Sequence, residues 1–197
     1  MRYLILAAIS AVTVPAAASA QEALPPEVSP FTGFRAEALG GYDSLAEDVD
    51  GFVYGGAIGY DFQARNLILG IEGEITGTTA KITENNAIST GDRLRLKGGR
   101  DLYIGGRLGF LVSPTAMAYG KIGYTNAQTK VDYDAGVDSF EDTLDADGLR
   151  LGAGLEFQVS PNAYIKGEYR YSNYKELDDI EVDQDRHQVV AGVGFRF

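Results

Sequence analysis

The sequence predicts an all-β protein, an eight-stranded antiparallel up-and-down transmembrane β-barrel, and three observations predict it. From residue 33 the chain falls into eight stretches in which residue type alternates with a period of two, apolar on one face and charged or small on the other. The connections between them alternate strictly between tight turns and long segments, as in barrels with short periplasmic turns and longer external loops. After the first twenty residues, no apolar run approaches the roughly 20 residues that a membrane helix needs, so a membrane crossing would have to be made by strands.

Taken in order, Met1-Arg2, the apolar run 4–14 and Ala18-Ser19-Ala20 read as an export signal over residues 1–20, cleaved after Ala20 to leave a chain starting at Gln21. Residues 21–30, with three prolines, read as an extended leader, and 31–197 as the barrel. The first stretch, 33–42, sets Phe34, Ala36, Ala38 and Tyr42 against Arg35 and Glu37. The second, 52–62, sets Tyr54, Ile58, Tyr60 and Phe62 against Gly55, Ala57, Gly59 and Asp61. The third, 67–77, opposes Leu67, Leu69, Ile71 and Ile75 to Glu72, Glu74 and Thr76. In the fourth, 101–111, Leu102, Ile104, Leu108 and Phe110 face away from Tyr103, Gly105, Arg107 and Gly109. The fifth, 116–125, separates Ala118, Ile122 and Tyr124 from Tyr119, Lys121 and Thr125. The sixth, 149–157, carries Leu149, Leu151, Ala153, Leu155 and Phe157 opposite Arg150, Gly152, Gly154 and Glu156. The seventh alternates Ile165, Tyr169 and Tyr171 with Lys166, Glu168 and Arg170. The eighth, 187–197, alternates His187, Val189, Ala191, Val193, Phe195 and Phe197 with Gln188, Gly192, Gly194 and Arg196. The tight connections are 63–66, 112–115 and 159–162; the long ones are 43–51, 78–100, 126–148 and 173–185.

Alternation alone leaves two orientations open, a membrane barrel with a polar lumen or a soluble lipocalin-like barrel with an apolar one. In a membrane the charged face must point inward, because an Arg or Lys on the lipid side costs roughly 2–4 kcal/mol at mid-depth. The lumen set is then Arg35, Glu37, Asp61, Glu72, Glu74, Arg107, Lys121, Arg150, Glu156, Lys166, Glu168 and Arg170. Their signs nearly balance, so they can pair across the interior. The export signal, the connection lengths and the aromatic residues near strand ends (Tyr42, Tyr60, Phe62, Phe110, Tyr124, Phe157, Tyr171, Phe195 and Phe197) favour the membrane.

The net charge of -11 argues against nucleic acid, and the absence of cysteine excludes disulfides and thiol catalysis. The single histidine, His187, lacks a serine two residues on, and Glu72 and Glu74 are faced by cations, so no catalysis and no cofactor are expected. Acidic residues concentrate at Asp43, Glu47, Asp48 and Asp50, within 132–147 and within 176–185, without the spacing of an EF-hand. Solvated charge and divalent-cation binding both remain open there. Lys81, Arg93, Arg95, Lys97 and Arg100 form a basic segment that could meet lipid phosphate.

Three segments share a pattern before the tight turns: Gly-Gly-Ala-Ile-Gly-Tyr at 55–60, Gly-Gly-Arg-Leu-Gly-Phe at 105–110 and Gly-Ala-Gly-Leu-Glu-Phe at 152–157. With the end Gly192-Val193-Gly194-Phe195-Arg196-Phe197, residues 31–197 resemble the opacity-type and OmpA-like family of small outer-membrane β-barrels. In that family Gly192, Phe195 and Phe197 would form the signal read by the barrel-assembly machinery; Val190 departs from the polar residue usual two places before the glycine. The resemblance implies the outer membrane of a Gram-negative bacterium, with its lipids and that machinery as partners. An eight-stranded barrel is just wide enough for side chains to fill it. The expected role is therefore structural, in envelope integrity and surface interaction through the loops, with a loop ligand unspecified. A narrow ion channel and a soluble carrier stand as alternatives.

Overall fold

The computed structural model of the protein describes residues 30–46, 49–85, 93–134, 139–177 and 180–197. The export signal 1–20, its cleavage residues Ala18, Ala20 and Gln21, and leader residues 21–29 lie outside the described residues, as do Glu47 and Asp48. The strands are β1 (Gly33–Ala46), β2 (Val49–Ala64), β3 (Leu67–Thr78), β4 (Lys81–Asn85), β5 (Arg93–Ser113), β6 (Ala116–Asp134), β7 (Ser139–Gln158), β8 (Ala163–Leu177) and β9 (Ile180–Arg196). All pairs are antiparallel, and β3 pairs β5 from Leu67↔Phe110 to Gly77↔Arg100, which closes eight long strands into a barrel. Closure satisfies the backbone of every spanning strand within the sheet, the condition for a sheet to cross hydrocarbon. β4 is a ninth, short strand that pairs only with the outer part of β5.

The alternation read from sequence becomes inside and outside. Ile58, Ile71, Ile75, Ile104, Ile122, Val189 and Val193 are exposed on the outer surface, where β-branched side chains suit a pleated face. The charged set is buried inside. At the seam, Phe197 N–H donates to Phe34 O at 2.8 Å. Gly33 there has φ 136, and a Cβ on it would lie 2.2 Å from Phe197 O, so only glycine fits. The turn between β2 and β3 is made by Arg65 and Asn66; Arg65 takes a left-handed φ of 58, as a two-residue hairpin between twisted strands requires.

The long connections differ from expectation. Most of 126–148 is strand: β6 and β7 pair without interruption from Ala116↔Phe157 to Asp134↔Ser139. The segment 78–100 contains β4 and the start of β5, 43–51 contains the ends of β1 and β2, and 173–185 contains those of β8 and β9. The reason is physical. Beyond the apolar band both faces of a hairpin meet water, so the apolar-polar contrast that marks a half-buried strand vanishes while backbone pairing continues. A contact of 2.5 Å between Lys97 Nζ and Asp132 joins β5 to β6 in this outer part.

Midway along each strand the outer face carries a residue with nothing beyond Cβ: Ala38, Gly56, Gly73, Gly106, Gly120, Ala153, Gly167 and Ala191. Ala38↔Gly56, Gly120↔Ala153 and Gly167↔Ala191 are direct partners. The other steps are displaced by two residues, as in Ile58↔Gly73 beside Gly56↔Ile75, so the belt stays level on a sheet of tilted strands. On β1 it lies between Phe34 and Tyr42, on β7 between Leu149 and Phe157, and on β9 between His187 and Phe195.

This inside-outside assignment makes a direct test. Ile104, 68% exposed, neighbours the buried Tyr103 on β5. Ile104→Arg is expected to lower the unfolding free energy in lipid vesicles by roughly 2–4 kcal/mol, measured by denaturant titration; an unchanged midpoint would place this face away from lipid.

Candidate functional site

The inward positions of the eight long strands build one continuous array of ion pairs. At the short-turn end, Arg107 donates through Nε to Asp61 at 2.8 Å and through Nη1 to Glu156 at 3.1 Å, and Arg196 reaches the same two carboxylates at 2.9 Å each. Arg35 lies 3.2 Å from Asp61 and donates to Glu37 and Glu72, spanning three strands. At mid-height Lys121 Nζ meets Glu72 at 2.8 Å and Glu74 and Glu168 at 2.7 Å each. Lys166 lies 2.5 Å from Glu37 and 3.6 Å from Glu168, while Arg170 pairs with Glu74 at 2.9 Å and with Glu168. Towards the long hairpins Arg150 joins Glu74 at 3.6 Å to Asp101 at 2.5 Å, and Arg186 joins Asp101 at 2.9 Å to Asp43 at 2.6 Å.

All twelve residues singled out from the sequence are buried, and the structure brings them into this single array. Four more members escaped the sequence reading: Asp43, Asp101, Arg186 and Arg196. Asp43 falls in a segment that reads as a loop, Arg186 lies between such a segment and the eighth stretch, Asp101 stands at a strand boundary, and Arg196 is on the polar face without an assigned partner. Extending the parity of each strand by one inward step reaches the first three, since 43 continues 35, 37, 39 and 41. Among the described residues the array thus holds eight cations and eight anions, so the lumen is neutral and the surplus acid lies elsewhere.

Phenols and small residues complete the filling. Tyr119 donates to Glu168 at 2.6 Å and Tyr164 to Glu37 at 2.7 Å. Tyr103 lies under Lys121, 4.6 Å from its ring centroid, a cation–π contact that adds to the ion pairs. Gly152 makes room for Lys121, whose Cγ would lie 2.9 Å from a Cβ at that position. Two apolar clusters interrupt the charge: Phe31, Ile68, Met117 and Tyr119 at the short-turn end, and Leu39, Val53, Ala57 and Val190 on the wall of β1, β2 and β9. The interior is therefore a packed mixture, with apolar side chains where the sequence pattern had suggested polar filling throughout.

On the outer rim two adjacent hairpins repeat one arrangement. Asp147 accepts from Tyr124 at 2.5 Å and Asn126 at 2.7 Å, and Asp185 accepts from Tyr171 at 2.6 Å and Asn173 at 3.0 Å. Among the described residues no group of three or more His, Asp or Glu side chains could hold a metal ion. His187 stands on the outer face, its Nδ1 2.7 Å from the Tyr169 hydroxyl and its ring 5.3 Å from that of Tyr171. Ser44 lies opposite His187 in register, a neighbour that spacing along the chain did not reveal.

The fold and the lumen invite comparison with known proteins. The family model described as outer membrane protein beta-barrel domain matches residues 4–197. No curated protein sequence matches. Among solved structures, the barrel is similar to Ail, the attachment invasion locus protein of Yersinia pestis, in complex with the heparin analogue sucrose octasulfate. That likeness has 16% identity and a TM-score of 0.53, covering 84% of this chain and 99% of that one. Neisserial surface protein A gives 17% identity and a TM-score of 0.52 over 83% and 96%. The N-terminal β-barrel domain of Pseudomonas aeruginosa OprF gives 17% and 0.50 over 84% and 98%. At these identities the structures share the fold alone, whereas the family match spans nearly the whole sequence: the chain belongs to the outer membrane protein beta-barrel domain family.

Proposed function

We propose that this protein is a filled, non-conducting barrel of the outer membrane that contributes to envelope integrity and presents its long hairpins outside the cell. The observation that carries the reading is the closed ion-pair array, in which each of eight buried cations meets at least one carboxylate. A hydrated ion would have to part these pairs, and an unpaired buried charge costs several kcal/mol. The apolar cluster around Phe31 and Met117 adds a dry layer at the short-turn end. A non-catalytic role is supported by the commitment of the side chains around the lone histidine. Tyr169 holds its Nδ1, and Asp185, two residues away, accepts from Tyr171 and Asn173 instead of orienting the imidazole.

Export by the N-terminal signal and insertion by the barrel-assembly machinery belong to the same proposal. Phe195 and Phe197 stand on the outer face, 56% and 76% exposed, while Gly192 faces the lumen beside Leu39 and Lys166. A surface ligand would be met by the hairpin ends.

Two measurements test the reading. Planar-bilayer recording from pure folded protein is expected to show a flat baseline; sustained, well-defined single-channel steps would replace the plug with a narrow ion path through the same residues. Lys121→Met strips Glu72, Glu74 and Glu168 of a shared cation, and is expected to destabilise the barrel by roughly 3–5 kcal/mol in vesicle-based unfolding. A change within error of zero would mean that the array does not hold the lumen closed.

A further inference from the structure

The belt of small residues deepens at one sector of the outer wall. Across β2, β3 and β5 it opens into a groove of about 860 Å³ whose floor is Gly56 and Gly73 and whose walls are Ile58, Ile75 and Ile104. The floor is open at Gly73, where a Cβ would meet only Tyr103 O, at 3.8 Å, and tight at Gly56, where it would meet Glu37 O at 3.1 Å. On the side of the long hairpins the groove is lined by Arg100, which stands opposite Gly77 on β3, and by Tyr124 and Asn126 of β6. Its side chain is 44% exposed, with Nη2 3.9 Å from Asp145, itself half-exposed. An apolar groove with a cation on its water-facing side has the chemistry of a lipid site: hydrocarbon along the floor and an anionic head at the rim.

Charge selects the sector. Lys81, Arg93, Arg95, Lys97 and Arg100 all lie on β4 and the outer part of β5. The rims of the hairpins β6–β7 and β8–β9 present Asp147 and Asp185, of which Asp147 borders the β6 edge of the groove through Tyr124 and Asn126. An anionic lipid around this acidic protein is therefore drawn to the β4–β5 side. In a barrel of this class the long hairpins are external, so the lipid that reaches Arg100 comes from the outer leaflet.

We propose that the groove seats one acyl chain of a phosphorylated outer-leaflet lipid, with its phosphate bound by Arg100 through charge-assisted hydrogen bonds. The inference rests on the membrane orientation alone and stands whether or not the lumen conducts.

The test uses full-length, detergent-solubilised folded protein titrated with purified lipid A, with bound lipid counted by native mass spectrometry. Gly73→Leu fills the groove and Arg100→Ala removes the cation. Gly167→Leu, on the same belt but on β8, where a Cβ would meet nothing within 4 Å, is the control. Heat-modifiable gel migration establishes that each variant is folded before binding is read, and Arg100→Ala decides alone if Gly73→Leu does not fold. Wild type and Gly167→Leu are expected to retain one lipid A per barrel, and each groove variant to bind it about tenfold more weakly. Equal retention by wild type and the folded groove variants would overturn the site. Binding of phosphatidylglycerol as tight as that of lipid A would overturn its assignment to an outer-leaflet lipid.

Discussion

A charged side chain on a membrane-spanning strand has two places to go, and one of them is closed. Lipid excludes it at a cost of a few kcal/mol, so Arg35, Arg107, Lys121, Arg150, Lys166 and Arg170 turn inward, where little water accompanies them. Having left both solvents, each must meet an opposite charge at contact distance. Strand register and the choice of small residues on the inner face serve that requirement. Lys121, for instance, gathers carboxylates from β3 and β8 by passing over Gly152 of β7.

In the proposed function the pairing matters because it takes up the space that a pore would need. A porin of 16 or 18 strands can line its wall with charge and leave water between. Here the charges of opposite walls touch, and aromatic rings such as Tyr103 and Tyr164 occupy the gaps. The barrel's chemical variety is thereby moved to its exterior: the aromatic and isoleucine-rich band, the acidic rims at Asp147 and Asp185, and the basic β4–β5 side. Adding a lipid site there asks only for a missing side chain at Gly73 and a cation at Arg100.

The lumen was legible in the sequence wherever an apolar outer face gave the alternation its contrast. Glu72 and Glu74 between Ile71, Gly73 and Ile75 could point only one way. Legibility failed at strand ends. Asp43 and Arg186 bond each other across β1 and β9 at 2.8 Å, yet they lie where the outward neighbours Ser44 and Asp185 are polar. With both faces polar, the period of two carries no sign, and the same loss made the hairpin extensions of β6 and β7 read as loop. The apolar lumen clusters were hidden for the opposite reason, since Leu39 and Val53 share the inward parity of Arg35 and Asp61 but, being apolar, blur the contrast between the faces.

By itself, then, the order of residues determined the number of barrel strands, which spanning side chains share a face and the family, because these follow from local alternation in a two-solvent environment. Only the closed sheet decided which cation meets which carboxylate, that Asp101 links Arg150 to Arg186, and that Gly56 and Gly73 share a groove with Arg100. Those relations join residues tens of positions apart. They depend on the stagger between neighbouring strands, which is fixed when the barrel closes on itself and is written in no single strand.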